Sequence, residues 1–464
     1  MSLPTLRDYQ QRAVASILRN WQGGARRVIL ELPTGAGKTL TAGHLVRRAA
    51  LRGERVAIIA HRRELLAQLR AACDAWGLAH GDCHSAAPVL VDSVARRWPD
   101  VRVDLLVIDE AHRAAAQSYR RVVQTLQPAQ ELHLTATPVR TDRQGLPADA
   151  HVVGAEIREL QDAGYLRRER YLVAGDPTHL SGLRMSGADF ARASVEDAFR
   201  SSTLRGDIVA AVREHIDDRQ AVLFAASVEA SEQLAEHLTA AGLRAVHVDG
   251  KTSKADRDAA FDAIRGGEAR VLCCYDVASE GVDLPTVSMV VMATATASLI
   301  RWRQRIGRGL RPGTHHPDCL VLDAGGNVLR LGWASDPMPE IRLGESTKRR
   351  TQPAITRCPS CFSWLSGRPA HCPHCEHEFA ALPPGTRADT VWQDGEWVEV
   401  LSPPPEHLRT KDWKLLRKLQ REARARGFAP AWAYARHDDV KRAEWRREVA
   451  KWRRQQASSA GWQA

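Results

Sequence analysis

Short apolar runs recur through the first 330 residues, each followed by a polar turn and then by a segment with helical spacing. Val28-Ile29-Leu30, Arg55-Val56-Ala57-Ile58-Ile59-Ala60, Leu105-Leu106-Val107-Ile108 and Glu131-Leu132-His133-Leu134 are mostly continuous apolar runs rather than alternating ones. That is the pattern of parallel strands buried on both faces. Between them, Leu6-Arg7-Asp8-Tyr9-Gln10 opens an amphipathic helix to about Trp21, Leu40 to Ala50 reads as a helix, and His61-Arg62-Arg63-Glu64-Leu65 starts another. The rhythm returns from about residue 204. Ala221-Val222-Leu223-Phe224 precedes Ser227 and a helix to Leu238, and Ala245-Val246-His247-Val248, Arg270-Val271-Leu272-Cys273-Cys274 and Val287 to Met292 read as further strands. Strand–helix alternation of this kind predicts α/β architecture with two parallel, doubly wound sheets in tandem. Residues 146–200 break the rhythm. They hold a helix running into a strand near Ile157 to Leu166 and are expected to form an inter-domain segment padding the edge of the second sheet.

Leu32-Pro33-Thr34-Gly35-Ala36-Gly37-Lys38-Thr39 lies between the first strand and a helix, the context a phosphate-binding loop needs. Gly35 and Gly37 let backbone N–H groups turn toward phosphates, and the helix start adds free N–H groups and the positive end of its dipole. Lys38 can reach the β- and γ-phosphates and the Thr39 hydroxyl can hold Mg²⁺. The general pattern has Gly where this chain has Leu32. Asp109-Glu110-Ala111-His112 follows the apolar strand 105–108, so Asp109 is placed for the Mg²⁺ shell and Glu110 for polarising an attacking water. The Gln10 amide can pair with the N6 donor and N7 acceptor of adenine; taken alone, such a Gln is also an ordinary solvated residue. Arg62-Arg63 and Arg96-Arg97 fit either nucleic-acid phosphates or a solvated helix start and basic edge. The second half carries no phosphate loop and is not a second ATPase; Cys273 and Cys274 read as core. Arg308 and Arg311, three residues apart, would share a helix face, and arginines supplied across a cleft stabilise a transferring phosphoryl group.

Gln10, the phosphate loop, His61-Arg62-Arg63, Asp109-Glu110-Ala111-His112 and Thr135-Ala136-Thr137 resemble, in order and spacing, the first RecA-like domain of a superfamily 2 helicase. Glu280-Gly281-Val282-Asp283 and Gln304-Arg305-Ile306-Gly307-Arg308-Gly309-Leu310-Arg311 extend the resemblance across residues 5–332. It implies that His112, Thr135, Thr137, Glu280, Gly281 and Asp283 couple nucleotide state to the second domain, and that Gln304, Arg308 and Arg311 complete the ATP site when the domains close. The early helix, the His-Arg-Arg-Glu-Leu segment and the Asp-Glu-Ala-His (DEAH) box look most like the UvsW and RadD type of bacterial and phage DNA helicases. Asp323-Ala324-Gly325-Gly326-Asn327 with Arg330 looks like the close of the RadD-type second domain. The resemblance implies ATP and Mg²⁺ as cofactors and single-stranded or branched DNA as partner, with a single-strand-binding or recombination protein alongside. It also implies a cytoplasmic, nucleoid-associated protein of a bacterium or phage, working in repair, recombination or replication. An RNA helicase would use the same chemistry. A binding module whose motor is secondary is a third reading, and no separate carboxylate cluster supports a nuclease.

At 464 residues the chain is too long for one core. Its N-terminus lacks a charged-then-apolar pattern, so export is not expected, and no run of 18 apolar residues suggests a membrane span. Of nine cysteines, four fall in Cys358-Pro359-Ser360-Cys361 and Cys372-Pro373-His374-Cys375, four thiolates for tetrahedral Zn²⁺. His371, His374 and His377 are neighbouring alternatives, and a redox pair of knuckles lacks the βαβ context it needs. Residues 405–464 hold sixteen Lys or Arg against seven Asp or Glu, so this tail supplies nine of the eleven net positive charges. Trp445, Val449 and Trp452 form a helical stripe with Arg446 and Arg447 on other faces. The tail thus fits nucleic-acid backbone and base stacking, or docking by its tryptophans with solvated charges. The expected division is 1–145 first RecA-like domain, 146–200 inter-domain segment, 201–335 second RecA-like domain, 336–385 linker and zinc ribbon, and 386–464 basic Trp-rich helical tail.

Overall fold

A computed structural model describes residues 5–60, 63–109, 117–138, 148–174, 183–200, 202–276, 286–313 and 316–336, together with Leu284, Leu343, Glu378 and the segments 355–357, 364–366 and 397–400. Two compact units divide the chain, Met1–Arg350 with Trp392–Val400, and Thr351–Val391 with Leu401–Ala464.

The first unit holds two seven-stranded sheets. α1 (Asp8–Gln22) precedes β1 (Arg27–Glu31), and α2 (Lys38–Leu51) follows it. β2 (Val56–Ala60), α3 (Arg63–Ala75), β3 (His80–Gly81), β4 (Val89–Ser93), β5 (Leu105–Ile108), α4 (Gln117–Leu126), β6 (Gln130–Thr135) and β7 (Ala150–Val153) complete the first sheet and its helices. Its order is β3-β4-β2-β5-β6-β1-β7, and every pairing is parallel. β2 and β5 are buried at every residue, as continuous apolar runs require of interior parallel strands. α1 turns Tyr9, Ala13 and Ile17 inward, an i, i+4, i+8 stripe.

After α5 (Ile157–Asp162) comes β8 (Arg168–Ala174), then a small hairpin of β9 (Met185–Ser186) and β10 (Asp189–Phe190). α6 (Arg192–Ala198), α7 (Ser202–His215), β11 (Gln220–Ala225), α8 (Val228–Ala240), β12 (Ala245–Val248), α9 (Lys254–Arg265), β13 (Val271–Cys274), β14 (Val287–Ala293), α10 (Leu299–Ile306), β15 (Asp318–Asp323) and α11 (Asn327–Leu331) follow. In the second unit, β16 (Ile355–Arg357) pairs antiparallel with β17 (Trp364–Ser366), so residues 358–363, Cys358 and Cys361 among them, connect the two strands. The chain then supplies β18 (Trp397–Val400) to the first unit. The second sheet runs β12-β13-β11-β14-β15-β8-β18. Ser227 and Ser253 cap α8 and α9 through side-chain oxygens that accept from Ala230 N and Asp256 N. Cys273 and Cys274 are core, as their apolar run implies.

Two connections carry strands of their own. Residues 146–200 contribute one strand to each sheet. β7 extends the first sheet beside β1, and β8 lies inside the second sheet between β15 and β18. Their partners lie far away in sequence, so local pattern cannot place them in either sheet. Likewise Trp397–Val400, expected in the helical tail, is an antiparallel strand on β8. Its Trp-Val-Glu-Val sequence suits a pleated edge better than a helix. Glu110, His112, Arg62, Glu280, Gly281, Asp283, Cys358, Cys361, Cys372, Cys375, Arg446 and Arg447 lie outside the described residues, as does the side chain of Arg63, whose backbone opens α3. Among the described residues, no helix is long and apolar enough to cross a membrane.

Candidate active site

β5, β6 and β1 are neighbours in the first sheet, with Ile108 opposite His133 and His133 opposite Ile29. Their carboxyl ends therefore lie side by side. Asp109 leaves β5, Thr135 and Thr137 leave β6, and the 32–37 loop leaves β1. Ligands bind at this edge of open parallel sheets.

The loop is held from both sides. Leu32 N donates to Thr135 O at 3.0 Å. Tyr9 Oη and Gln10 Nε2, both from α1, donate to Ala36 O at 2.9 and 3.1 Å, and Gln10 Oε1 accepts from Arg7 N at 2.9 Å. Gln10 is thus a buried brace between helix and loop, not a solvated side chain. The Arg7 guanidinium lies 4.2 Å over the Tyr165 ring beside this brace. Gly35 and Gly37 have φ of 86° and 78°, values that only glycine adopts cheaply. Leu32, in the position where the general pattern has Gly, is fully buried. Its Cδ2 would lie 2.6 Å from a Cβ at Gly154. The absence of a Cβ at Gly154 makes room for the branched side chain of Leu32. Lys38 curls back, Nζ donating to Leu32 O at 3.1 Å and Pro33 O at 3.4 Å. Thr39 is exposed at the start of α2. Asp109 is buried, with its N–H on Ile59 O at 3.2 Å. Thr135 Oγ1 accepts from Thr137 N at 3.1 Å and donates to Thr137 O at 3.0 Å; Thr137 Oγ1 is buried and has no partner among the described residues.

The second sheet reaches this edge through the end of α10. Gly307 lies so close to the loop that a Cβ there would sit 2.9 Å from Thr34 Cβ. A Cβ on Gly35 would meet Arg311 Cγ at 3.1 Å. Gln304 is buried, and its Nε2 has no partner among the described residues. Arg308 is buried and Arg311 half-buried. They do not share a helix face as their spacing suggested. The helix stops at Ile306, and Gly307 and Gly309 continue as a turn, with Gly309 N on Ile306 O at 3.0 Å. Gly307, Gly309 and Pro312, all poor helix formers, follow the last helical residue and end the helix here. Arg305 points the other way, into the lobe's own core. It stacks 4.9 Å over the Phe224 ring, and burial lowers its pKa. Arg96 and Arg97 are exposed after β4, Arg96 lying 3.7 Å from Asp92. These facts bring Gln10, Gly35, Gly37, Lys38, Thr39, Asp109, Thr135, Thr137, Gln304, Arg308 and Arg311 to one region and leave Arg96 and Arg97 apart.

Sequence reading missed Arg167. Its guanidinium donates to Val287 O at 2.6 Å, Gly309 O at 3.2 Å and His316 O at 3.0 Å, tying the start of β8 to the turn that carries Arg308. Within Leu166-Arg167-Arg168-Glu169-Arg170 nothing local distinguishes it from a surface arginine.

The donor set at the edge fits a nucleotide. It comprises a cationic Lys38, glycine-rich backbone, the Thr39 hydroxyl, the Asp109 carboxylate and arginines from the facing lobe. Two RecA-like parallel sheets with a Gly-Lys-Thr loop at the carboxyl edge of the first define a P-loop ATPase of the motor type. Residues 3–86 and 92–140 match the family described as type III restriction enzyme, res subunit, and residues 206–313 match the helicase conserved C-terminal domain. A 51.5 kDa protein of a Lactococcus phage is 28% identical over 364 residues, covering 76% of this chain and 78% of that protein. The DNA 3'-5' helicase XPB of Mycobacterium tuberculosis is 28% identical over 340 residues, covering 66% of this chain and 58% of that protein. The fragment structure of a putative HsdR subunit of a Vibrio vulnificus type I restriction enzyme shares the fold, with a TM-score of 0.56 at 18% identity, over 72% of this chain and 67% of that one. The chain belongs to the superfamily 2 helicases and is an ATP-hydrolysing enzyme. ATP and Mg²⁺ are the cofactors expected of that class.

Proposed function

We propose that this protein couples ATP hydrolysis to movement along, or opening of, single-stranded or branched DNA in repair, recombination or replication. The observation that carries this reading is the seat of the α10 end on the phosphate loop, Gly307 against Thr34 and Arg311 against Gly35. It gives the second sheet a direct route to sense what the first sheet binds. Lys38 and the backbone of Gly35 and Gly37 hold phosphates. Thr39 and Asp109 hold Mg²⁺, and Glu110 orients the attacking water. Gln10 fixes the loop beside the base. Gln304, Arg308 and Arg311 stabilise charge on the transferring phosphoryl group. His112, Thr135, Thr137, Glu280, Gly281 and Asp283 couple this state to DNA held by Arg62, Arg63, Arg96 and Arg97.

The finer kinship, to DEAH-box helicases of the RadD and UvsW type, is supported by the order of motifs and the Asp323-to-Asn327 turn. The choice of DNA is supported by the mycobacterial relative's described activity. Cys358, Cys361, Cys372 and Cys375 carry Zn²⁺; the hairpin of β16 and β17 around the first pair supports a ribbon. Arg446 and Arg447 in the basic tail add backbone contacts, and a single-strand-binding or recombination protein joins at the fork. The protein works in the cytoplasm, at the nucleoid.

The test is steady-state ATP hydrolysis by the zinc-loaded protein and by Lys38→Ala, each alone and with single-stranded, duplex or forked DNA or single-stranded RNA. Strong stimulation by DNA that Lys38→Ala abolishes is expected. Undiminished hydrolysis in Lys38→Ala would sink the site assignment, and stimulation by RNA alone would overturn the choice of DNA.

A further inference from the structure

We propose that Asn327 and Asp189 are positioning residues that hold the arginine-bearing helix α10 in register with the phosphate loop. This rests on the ATPase reading above. The segment 294–298 joins β14 to α10, and it is gripped from two sides. From one side comes Asn327, fully buried at the start of α11. Its Oδ1 accepts from Thr296 N at 2.8 Å and from Arg330 at 2.9 Å, while its Nδ2 donates to Thr294 O at 2.9 Å and Asp323 Oδ1 at 2.8 Å. One amide thus joins the ends of β14 and β15 to the lead-in of α10. Asp323 Oδ2 holds the turn itself through Val328 N at 2.7 Å. A Cβ on Gly325 would collide with Thr294 O, so the glycine lets this turn press directly on the lead-in.

From the other side comes Asp189, on the β9–β10 hairpin. Its carboxylate accepts from Ala297 N at 2.6 Å and from Thr296 Oγ1 at 2.9 and 3.0 Å, and it pairs with Arg301 of α10 at 3.1 Å. The two grips meet where Arg330 lies 5.3 Å over the Phe190 ring. None of these groups belongs to the phosphate loop. Their common object is the direction in which α10 leaves the sheet, hence where Gln304, Gly307, Arg308 and Arg311 arrive. The Asp-Ala-Gly-Gly-Asn turn and the hairpin therefore serve one task, fixing the second lobe's catalytic end from behind.

The experiment measures kcat and KM for ATP with saturating single-stranded DNA, plus binding of a fluorescent ATP analogue and Tm, for the full chain and for Asn327→Ala, Asp189→Ala and Asp189→Asn. Loss of registration by a fraction of an ångström to an ångström is expected to lower kcat about 10- to 100-fold. KM and analogue binding should stay within about twofold, because the phosphate loop is untouched. Asp189→Asn keeps an acceptor for Ala297 N and should recover most of what Asp189→Ala loses. If Asn327→Ala does not fold, the two Asp189 variants decide alone. A kcat for Asp189→Ala within twofold of the parent, or a rise in KM without a fall in kcat, overturns the proposal. Absence of hydrolysis by the parent chain sinks both this proposal and the ATPase reading; a normal parent with unaffected variants sinks only this one.

Discussion

Replacing Gly307 by alanine probes the contact between the lobes with one methyl group. The residue has φ −55° and ψ −17°, ordinary helical values, so alanine brings no backbone strain. On that score Gly307→Ala should stabilise the fold by about 0.4–1 kcal/mol, by restricting the unfolded chain. The opposing effect is steric. The new Cβ would lie 2.9 Å from Thr34 Cβ and 3.2 Å from Thr34 Oγ1, besides 3.0 Å from Arg303 O within α10, whereas carbons in contact settle near 3.5–4.0 Å. The α10 end must therefore retreat by roughly 0.5–1 Å, or the closed arrangement must bear an overpacking cost of about 1–3 kcal/mol. A displacement of that size at reacting groups costs on the order of 100-fold in rate. The expected result is a DNA-stimulated kcat lower by about 10- to 100-fold, with Tm lowered by a few degrees at most because the two stability effects oppose each other. Steady-state hydrolysis and a thermal melt on the same preparation read both quantities. A variant that melts higher and turns over within twofold of the parent would refute the reasoning, since the methyl group would then have met nothing.

Gln10→Ala removes the buried hydrogen bond that ties α1 to the loop at Ala36 O, and with it the Arg7 N bond at the start of α1. With each unmade buried bond worth about 1–3 kcal/mol, KM for ATP is expected to rise at least about fivefold in an ATP titration, and an unchanged KM would show that the brace does not shape the loop. Burial pushes the Asp323 carboxyl up to about 6 from an ordinary 3.8. Between those pH values the folded state binds more protons than the unfolded one, so this group makes stability fall as pH rises from about 4 to 6 and then level off, by on the order of 3 kcal/mol in all. Asp323→Asn should flatten that slope in denaturant melts at pH 4.5 and 7; parallel pH profiles for variant and parent would contradict it. Depressed carboxylates such as Asp149, held by the backbone N–H of Arg27 and of Arg26, act in the opposite sense and only below about pH 4. Ending the chain after residue 336 removes β18, whereas ending it after 400 keeps the strand. The shorter protein should melt several degrees lower, and equal melting temperatures would deny β18 a stabilising part.

The interior strands of both sheets were legible because continuous apolar runs such as Leu105–Ile108 have few other fates, and the loop because glycine, lysine and threonine stand between a strand and a helix. β7, β8 and β18 were not legible. Each takes its place from a partner distant in the chain, so the decisive information is the register of another strand. The same reason hid Asp189 and Arg167, polar residues whose partners lie more than a hundred positions away. Arg308 and Arg311 were found as residues but given the wrong backbone. Spacing of three suggests a helix, but α10 ends at Ile306, before either arginine, at Gly307 and Gly309. Gln10 was found for the chemistry of its amide, while its burial depended on a loop 26 residues on.

β18 also dictates an order of events during synthesis. β8 is made early, yet the strand that covers its outer edge is made only after β11 to β15, α11 and the whole cysteine-bearing excursion. As the chain leaves the ribosome, the second sheet can assemble around β14 and β15 while one side of β8 still offers unpaired backbone groups, a template for wrong partners. Sealing waits for Trp397 to Val400. A chain halted or cleaved between 337 and 396 would carry every motif of the ATPase and still display that open edge, which marks it for aggregation or for chaperones before any loss of catalytic residues is felt.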